Sequence, residues 1–481
     1  MVSWLLGFLV GMGFGWGSVS GFQVSAPDRD HLQFRPSLQI STSRDEVVSA
    51  VIRWGDGRAG QSRCRALLSQ FAPFRLRYYR MESYRVLPEQ RSFVGSKAGE
   101  YWDPLVPVSQ ICRGDLVWVD IETPRGVRPG NYSLPYGIQL KVWKMIMPGR
   151  PSLPLYIHLN SHAVFSAHGL EGAAPSRLRI SALKKYIRLY REHRIEPYGQ
   201  YPGFYPPFGG RELKRNGTAE RASFRELVLK GAIAPPILFT PNFDVPPGQV
   251  LLKAIDGALE RGELPLESLA YVWDEGENDP RLTRQSLIRA RWVRRYAPRL
   301  KILMTRVPTV EFEPFVDLVV ALQNRYRTGW MTPYGLYVSC VSQGSCQNGI
   351  PRKPTGPPMM VVDAPTVSPR AFLWVNEMLG AQVGLYYNAT EKLSNAWRDQ
   401  YCFGGNGDGT LLYPDRSRVE PNGSIRLKML RQGSYDVEYL RWAKRAGMHW
   451  LSPVTDQNHW SQNWGDYQRL RNQLGETLSA K

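Results

Sequence analysis

The chain has 481 residues, of which 43% are apolar and 12% aromatic. This length and composition allow two or three domains, or one barrel with an appended domain, and exclude a chain too small or too polar to bury a core. The net charge of +19 predicts attraction to an anionic polymer such as an acidic polysaccharide, a cell envelope or nucleic acid. Because no motif of a known nucleic-acid-binding module is present, we favour an anionic envelope polymer over nucleic acid as a partner.

The N-terminal segment is apolar and glycine-rich from Trp4 to Met12. Its length is typical of a signal peptide, so we predict that residues 1–21 direct the protein to a secreted or periplasmic location. No Lys or Arg precedes the apolar run, and an uncleaved anchor is therefore the alternative. No other stretch is long and apolar enough to span a bilayer.

Residues 22–148 have the pattern of a β-sandwich domain. The segments 116–121 and 136–143 alternate apolar and polar residues, and Pro and Gly residues form turns between them. Short strands with such turns and no long helical pattern favour a sandwich of two sheets.

Residues 149–450 alternate strand-like and helix-like segments after a proline-rich linker, which predicts an α/β fold with a (β/α)8 TIM barrel. A C-terminal tail of 451–481 follows. The predicted strands are Leu155–Leu159, Glu196–Tyr201, Pro236–Thr240, Leu269–Trp273, Lys301–Met304, Val316–Ala321, Met359–Val362 and Gln382–Tyr387. The predicted helices are Arg177–His193, Glu220–Lys230, Gly248–Arg261, Arg281–Tyr296, Pro369–Leu379 and Ser424–Arg445.

The chain has five cysteines, and none has the paired spacing of a zinc site. We therefore predict no metal site from them. In an oxidising compartment, the first candidate disulfide joins Cys340 to Cys346 across a small loop. The second joins Cys64 to Cys112, which both fall in the N-terminal region.

Two adjacent carboxylates, Asp274 and Glu275, follow a short apolar run and precede a helical pattern. They are predicted at the end of a barrel strand, where the catalytic residues of such barrels lie. A pair of carboxyls there indicates acid/base chemistry on a glycosidic bond. Taken alone, an acidic loop before a basic helix is more often a solvated helix cap.

Polar and aromatic residues follow several other predicted strands and would face the barrel mouth. Amides and aromatic rings in this arrangement suit a sugar ring, which needs hydrogen bonds at its rim and a stacking face. For any single one of them, a role in a turn or cap is the alternative. The residues chosen as substrate contacts are Tyr198, Tyr201, Asn242, Asn324, Tyr326, Tyr386 and Asn388. The other residues of the predicted rim are His158, Asn160, Asp244, Asp363 and Tyr387.

Four blocks of sequence resemble glycoside hydrolase family 123 and its wider set of bacterial relatives. They are the strand–turn–strand stretch 120–132, the segment LYREHRIEPY (189–198), YVWDEGEND (271–279) and GDGTLLYP with SIRLKMLRQGSYDVEYL (407–440). Their order and spacing match as well, over about residues 110 to 445. The chain departs from the relatives in three places: Gly276 replaces a common Pro, Tyr387 stands where Trp is common, and Pro333–Pro358 resembles an insertion near the rim.

The resemblance implies exo-hydrolysis of β-linked N-acetylgalactosamine from an oligosaccharide or glycoconjugate, with retention through substrate assistance. It implies that Glu275 is the general acid/base, that Asp274 orients the acetamido group, and that no metal or organic cofactor takes part. In such a reaction the 2-acetamido oxygen of the substrate attacks the anomeric carbon, so the enzyme needs no nucleophile of its own.

Two alternatives remain open at the level of sequence. One is a glycosidase for a different, acidic or deacetylated, sugar, which the basic charge favours. The other is a non-catalytic carbohydrate-binding envelope protein on the same fold, since a fold does not fix a function.

Overall fold

The chain is divided into two compact units by its internal contacts. Residues 1–80 and 107–146 belong to the first unit, and residues 81–106 and 147–481 belong to the second. The predicted sandwich range 22–148 therefore includes a segment, 81–106, that packs within the second unit. The computed structural model describes residues 22–54, 64–67, 70–93, 95–171, 176–199, 237–239, 246–262, 264, 268–274, 279–305, 309–323, 333–339 and 356–480. The predicted signal peptide and the predicted helix at 220–230 lie outside these ranges.

The first unit is built from short strands. They are β1 (Phe22–Ser25), β2 (Leu38–Arg44), β3 (Glu46–Trp54), β4 (Cys64–Ala66), β5 (Gln70–Phe71), β6 (Phe74–Val86), β8 (Gln110–Cys112), β9 (Leu116–Thr123), β10 (Gly130–Leu134) and β11 (Ile138–Ile146). Residues 81–86 of β6 belong to the second unit, as does β7 (Gly99–Pro107) except for its last residue.

Two sheets of the first unit share one apolar core. One has the order β1-β3-β9-β6 with antiparallel pairs, and the other has the order β10-β11-β2, in which β11 and β2 are parallel. Alternate residues of both sheets, such as Ile52, Val119 and Leu140, are buried in a single cluster. Burial of alternate residues is the pattern expected where each strand has one face on the core.

A disulfide joins Cys64 to Cys112, which are directly opposite each other on the paired strands β4 and β8. The second of the two candidate disulfides is thereby confirmed. The first, between Cys340 and Cys346, lies outside the described residues.

The second unit contains a parallel sheet, several short strands and a layer of helices. Its further strands are β12 (Leu155–His158), β13 (Ile195–Tyr198), β14 (Ile237–Phe239), β15 (Leu269–Asp274), β16 (Lys301–Thr305), β17 (Leu318–Leu322), β18 (Tyr334–Tyr337), β19 (Val383–Tyr386), β20 (Tyr401–Cys402), β21 (Gly405–Asn406), β22 (Tyr413–Pro414) and β23 (Pro421–Ser424). Its helices are α1 (Ser161–Ala167), α2 (Ser176–Glu192), α3 (Pro246–Glu260), α4 (Pro280–Tyr296), α5 (Ser368–Met378), α6 (Ile425–Arg445) and α7 (Trp464–Ala480).

Helix starts in the second unit follow local capping chemistry. The Asn160 side chain accepts hydrogen bonds from the first backbone amides of α1, Asp279 does the same for α4, and Ser424 does so for α6. Within the described ranges, no helix is both long and apolar enough to cross a membrane.

The parallel sheet has the strand order β13-β12-β19-β18-β17-β16-β15-β14, and each pair of neighbouring strands in it is parallel. This is the cyclic order of an eight-stranded barrel, interrupted between β13 and β14. Pairing between those two strands, which would close a barrel, is not seen in the described residues. The structure therefore confirms an α/β unit with a parallel sheet but not a closed TIM barrel.

Residues of the parallel sheet alternate between two apolar clusters. Ile302 and Met304 pack with helix residues of α3 and α4 in an outer cluster. Leu303 belongs to an inner cluster that contains only strand residues among the described part of the chain. The inner cluster consists of Tyr198, Leu269, Leu303, Leu318, Val320, Leu322, Tyr337, Val383 and Leu385, with Tyr156 and Tyr271 packed against it.

The predicted seventh strand was wrong. Residues 359–362 form no strand, and the seventh strand in sequence order is β18, which lies inside the stretch predicted to be an insertion. Residues 359–362 are buried but form a loop. The Val362 amide donates a backbone hydrogen bond to the Asn406 carbonyl (2.8 Å). In β18, a Cβ at Gly335 would meet Val383 Cγ2 at 2.3 Å, so this strand needs a residue with no side chain and lacks the usual strand pattern.

Asp363, predicted at the barrel mouth after that strand, is instead a buried structural carboxylate. Its Oδ2 accepts hydrogen bonds from the Ser92 amide (2.6 Å), the Phe93 amide (3.2 Å) and the Ser96 hydroxyl (2.7 Å). It is 4% exposed. Asp363 therefore holds Ser92, Phe93 and Ser96 in place and does not lie at the strand ends.

Candidate active site

The candidate site lies at the C-terminal ends of the strands of the parallel sheet, which form one edge of it. Asp274 is the last residue of β15, His158 of β12, Tyr198 of β13 and Tyr386 of β19. Because parallel strands point the same way, these four residues are at one edge. Glu275 follows Asp274 directly but lies outside the described residues.

Strand β15 contains a β-bulge immediately before Asp274. Tyr271 pairs with Leu303, yet Trp273 pairs with Met304 and Asp274 with Thr305, so Val272 is an extra residue relative to β16. Leu303 belongs to the inner cluster and Met304 to the outer one. The bulge thus pairs the backbone of Asp274 with Thr305, which is the next inner-face position of β16 after Leu303. Bulges of this kind are common next to active sites because they re-aim the residues that follow.

Two hydroxyls lie on the inner face beside this register position. Tyr271 Oη and Thr305 Oγ1 are 2.7 Å apart and share a hydrogen bond. Thr305 is 5% exposed. These two hydroxyl groups are thus held on the inner face of β15 and β16, directly beside the backbone position of Asp274.

His158 and Tyr198 form the opposite part of the same edge. Their ring centroids are 5.3 Å apart, and Gly199 follows closely. A Cβ at Gly199 would lie 2.5 Å from the Leu159 carbonyl oxygen and 3.2 Å from the His158 ring, so only glycine fits there. Burial lowers the pKa of His158 to about 4, which keeps its imidazole uncharged at neutral pH.

The lowered pKa of His158 predicts a dependence of stability on pH. In the unfolded chain the imidazole binds its proton near pH 6.5, and in the folded chain only near pH 4, so the unfolded state binds more protons between these values. The free energy of unfolding is therefore expected to fall as pH drops from 6.5 to 4, by about 2 kcal/mol from this group after allowance for its partial exposure. Thermal unfolding of wild type and His158→Gln across this range measures it; equal slopes for both proteins would contradict the prediction.

Tyr386 is fully buried on the helix side of the sheet. Its hydroxyl donates to Asp408 Oδ1 (2.7 Å) and accepts from the Gly409 amide (2.7 Å), and its ring lies in the cluster that contains residues of α1 and α2. Burial, followed by the charge of Asp408, raises the pKa of Tyr386 far above its usual value. In this arrangement Tyr386 fixes the loop at 408–409, and its contact with a substrate stays a prediction.

Asn388 is 3% exposed and has an engaged amide. Its Oδ1 accepts from the Thr390 amide (2.9 Å) and hydroxyl (3.0 Å), and its Nδ2 donates to Glu391 Oε2 (2.6 Å). These bonds form a turn that holds Glu391. Its role as a substrate contact, like that of Tyr198, stays a prediction.

Tyr387 was predicted at the barrel mouth but was not chosen as a substrate contact. It directly follows β19 and packs against the same helix-side cluster as Tyr386. Its hydroxyl is buried without a hydrogen-bond partner among the described residues. Its ring packs edge-on against Phe403 at 5.7 Å, and Phe403 is 54% exposed.

A buried ion pair supports the loop beneath Tyr386. Arg426 Nη2 lies 2.8 Å from Asp103 Oδ2, and Arg426 Nη1 donates to the carbonyls of Met360 (2.7 Å) and Gly407 (2.9 Å). Tyr413 donates to the same Asp103 oxygen (2.6 Å). The GDG loop in the last of the four resembling blocks is thus part of the support of β19.

Several predicted site residues cannot be placed. Glu275, Tyr201, Asn242, Asn324 and Tyr326 lie outside the described residues, and only the backbone of Asp274 is described. Within the described part of the chain, no three His, Cys, Asp or Glu side chains come together as ligands for a metal ion.

Comparison with known proteins gives an informative match to a solved structure. No protein-family model matches the chain, and no curated protein sequence is similar to it. The solved structure of a family 123 glycoside hydrolase from Clostridium perfringens matches it with a TM-score of 0.67 and 9% identity, over 96% of this chain and 99% of that one. The chain has the fold of a family 123 glycoside hydrolase. The resemblance in the sequence is thereby confirmed at the level of the fold.

Two further matches do not bear on the family 123 fold. A β-glucuronidase from glycoside hydrolase family 2 gives a TM-score of 0.29 at 9% identity, over 82% of this chain and 40% of that chain. A calcium-binding mutant of Bacteroides uniformis β-glucuronidase 2 gives 0.28 at 11% identity, over 82% and 48%. Scores this low carry no conclusion.

Proposed function

We propose that the protein is an exo-acting, retaining glycoside hydrolase that removes β-linked N-acetylgalactosamine through substrate-assisted catalysis. The observation that carries the proposal is the position of Asp274, which Glu275 follows in the sequence. Asp274 is the last residue of a bulged strand of a parallel sheet, in a chain with the family 123 fold. Active sites of such sheets lie at the carboxyl ends of the strands.

The proposed mechanism assigns one role to each carboxyl. In the first step, Glu275 protonates the leaving oxygen while the 2-acetamido oxygen of the sugar attacks the anomeric carbon. In the second step, Glu275 takes a proton from water. Asp274 accepts a hydrogen bond from the acetamido N–H and stabilises the cationic ring that forms. The like charges of adjacent carboxylates favour one of them keeping its proton, as an acid requires.

The bulge at Val272 supports a role for Asp274 in the proposed site. On a regular strand, adjacent side chains point to opposite faces. An extra residue before Asp274 breaks that alternation and brings Asp274 into register with Thr305.

We also propose that the parallel sheet closes into a (β/α)8 barrel and that the protein is exported. The inner cluster supports closure, because it is buried although none of its members comes from a helix. The Cys64–Cys112 disulfide supports export, because structural disulfides are typical of oxidising compartments.

The test is hydrolysis of 4-nitrophenyl β-glycosides by the purified wild-type protein. We expect turnover of the N-acetylgalactosaminide, less of its gluco epimer, and none of the matched galactoside, which lacks the acetamido group. Proton NMR of the first sugar released is expected to show the β-anomer, and a thiazoline mimic of the oxazoline is expected to inhibit.

Two outcomes would contradict the proposal. Equal turnover of the galactoside would exclude substrate assistance. No sugar release from any β-linked 2-acetamido substrate would exclude the hexosaminidase and favour the non-catalytic carbohydrate-binding protein.

A further inference from the structure

Helix α4 carries an unusual concentration of positive charge. Its 17 residues include six arginines and no acidic residue. The buried face of the helix is formed by Ser286, Ala290 and Val293, which pack toward the sheet. The arginines are therefore on the sides and the outer face of the helix.

Four of the six arginines form one exposed face. Arg281, Arg284, Arg291 and Arg295 are exposed, and their spacings of three, seven and four residues return to the same side of a helix. At 1.5 Å per residue this arginine face of α4 extends over about 21 Å. Arg294, by contrast, is held by Asp317 at 2.6 Å.

The carboxylates of the described residues leave the arginine face largely uncompensated. Asp279 lies 3.6 Å from Arg281 but already caps the helix. Within the described ranges, Arg284, Arg291 and Arg295 pair with no carboxylate. Arg291 stacks over Phe315 (5.9 Å) and Arg295 over Tyr296 (5.3 Å). A guanidinium whose face is stacked keeps its N–H edge available for a carboxylate or sulfate.

Two features of this arrangement are unfavourable for folding. Cations in the first turn, such as Arg281 and Arg284, oppose the helix dipole. Arg291 and Arg295 are like charges four residues apart, which is also unfavourable. An anionic ligand bound along this face would remove both penalties.

We propose that the arginine face of α4 binds an acidic polysaccharide. Because α4 begins six residues after Asp274, Arg281 lies at the sheet edge that carries the candidate active site, and the face runs away from that edge. Resting on the proposed function, we further infer that the bound chain presents its end to the Asp274–Glu275 pair. The substrate class would then be an acidic glycan.

Two other anionic partners fit the helix less well. Membrane binding requires an apolar face free to insert into lipid, and the apolar face of α4 is buried, with only Leu282 (40%) and Ile288 (37%) exposed. Single-stranded nucleic acid needs exposed aromatic rings for its bases. The aromatic residues of α4, Trp292 and Tyr296, are half-buried and pack on each other at 5.3 Å.

The test compares two variants with the same loss of charge. The first carries Arg284→Gln, Arg291→Gln and Arg295→Gln on α4. The control carries Arg177→Gln, Lys184→Gln and Arg188→Gln, which are exposed cations of α2. The probe is fluorescein-labelled chondroitin sulfate, which carries both carboxylate and sulfate, and binding is followed by anisotropy at several salt concentrations. Uncharged dextran serves as the neutral polymer.

We expect the α4 variant to bind chondroitin sulfate at least tenfold more weakly, with a flatter salt dependence, and the α2 variant to lose less than twofold. Equal losses in both variants would show an effect of net charge alone and overturn the proposal. Tighter binding of phosphatidylglycerol vesicles or single-stranded DNA than of chondroitin sulfate would also overturn it.

Hydrolysis of a neutral 4-nitrophenyl glycoside separates this surface from the proposed catalysis. The α4 variant is expected to keep wild-type turnover of that substrate, because these arginines are not assigned to the reacting groups. If wild type hydrolyses no glycoside but only the α4 variant loses polysaccharide binding, the binding surface stands and the catalytic proposal falls.

Discussion

Glu275→Gln is expected to lower kcat on a glycoside with an alkyl leaving group by about 10²- to 10⁴-fold, the usual contribution of a general acid. The glutamine keeps the shape of the side chain but cannot give a proton to the leaving oxygen. The loss is expected to be smaller on a 4-nitrophenyl glycoside, because 4-nitrophenolate departs without protonation. Steady-state kinetics on both substrates measures the difference.

Glu277→Gln is the matched control, since it makes the same change two residues later in the same acidic stretch of sequence. It is expected to retain activity within about twofold, the range of a surface substitution away from the reacting groups. Equal losses in the two variants, or an unchanged Glu275→Gln enzyme, would refute the assignment of the acid.

Arg426→Met is expected to lower the free energy of unfolding of the second unit by about 3–5 kcal/mol, the cost of breaking a buried ion pair from one side. Asp103, which is 0% exposed, would keep the Tyr413 hydroxyl as its one close side-chain partner among the described residues. The carbonyls of Met360 and Gly407 would lose their donor. Differential scanning calorimetry is the measurement, and it reports a fall in Tm.

Arg418→Met provides the comparison for this prediction. Arg418 is 57% exposed and pairs with Asp415 at 3.4 Å, so its loss is expected to change the free energy of unfolding by less than about 0.5 kcal/mol. Asp103→Leu combined with Arg426→Met is expected to be less destabilising than the sum of the single changes, since no charge is left unpaired. An additive double variant would show that the pair is not coupled.

The sequence predicted the strands of the parallel sheet where apolar runs coincide with sheet pairing. β12, β15, β16 and β19 lie within a residue or two of their predicted positions. The seventh strand was missed because the buried apolar run at 359–362 is not the segment that pairs in the sheet. Residues 359–362 are apolar and buried without a ladder, whereas β18 contains a glycine that close strand packing requires. An apolar run alone does not distinguish these cases.

For the candidate site, the sequence predicted that Asp274 lies at the C-terminal end of a strand of the parallel sheet. It did not predict the register of Asp274 relative to the neighbouring strand. A period of two places Asp274 on the outer side of β15, and one extra residue, Val272, changes that register. Nothing in the residue types of Tyr271–Asp274 indicates a bulge, because it arises from the pairing with β16. Tyr386 and Asn388 are equally typical of a sugar site and of a buried turn, and only their partners distinguish the two uses.

The segment 81–106 has a practical consequence for dissecting the protein. It packs in the second unit although the first unit continues after it in the chain. A fragment that starts at residue 147 would lack β7, which pairs with β23. It would also lack Asp103, the carboxylate that pairs with Arg426. No single cut in the polypeptide yields the intact second unit, so a recombinant fragment of it would need residues 81–106 supplied as a separate peptide or rejoined by circular permutation.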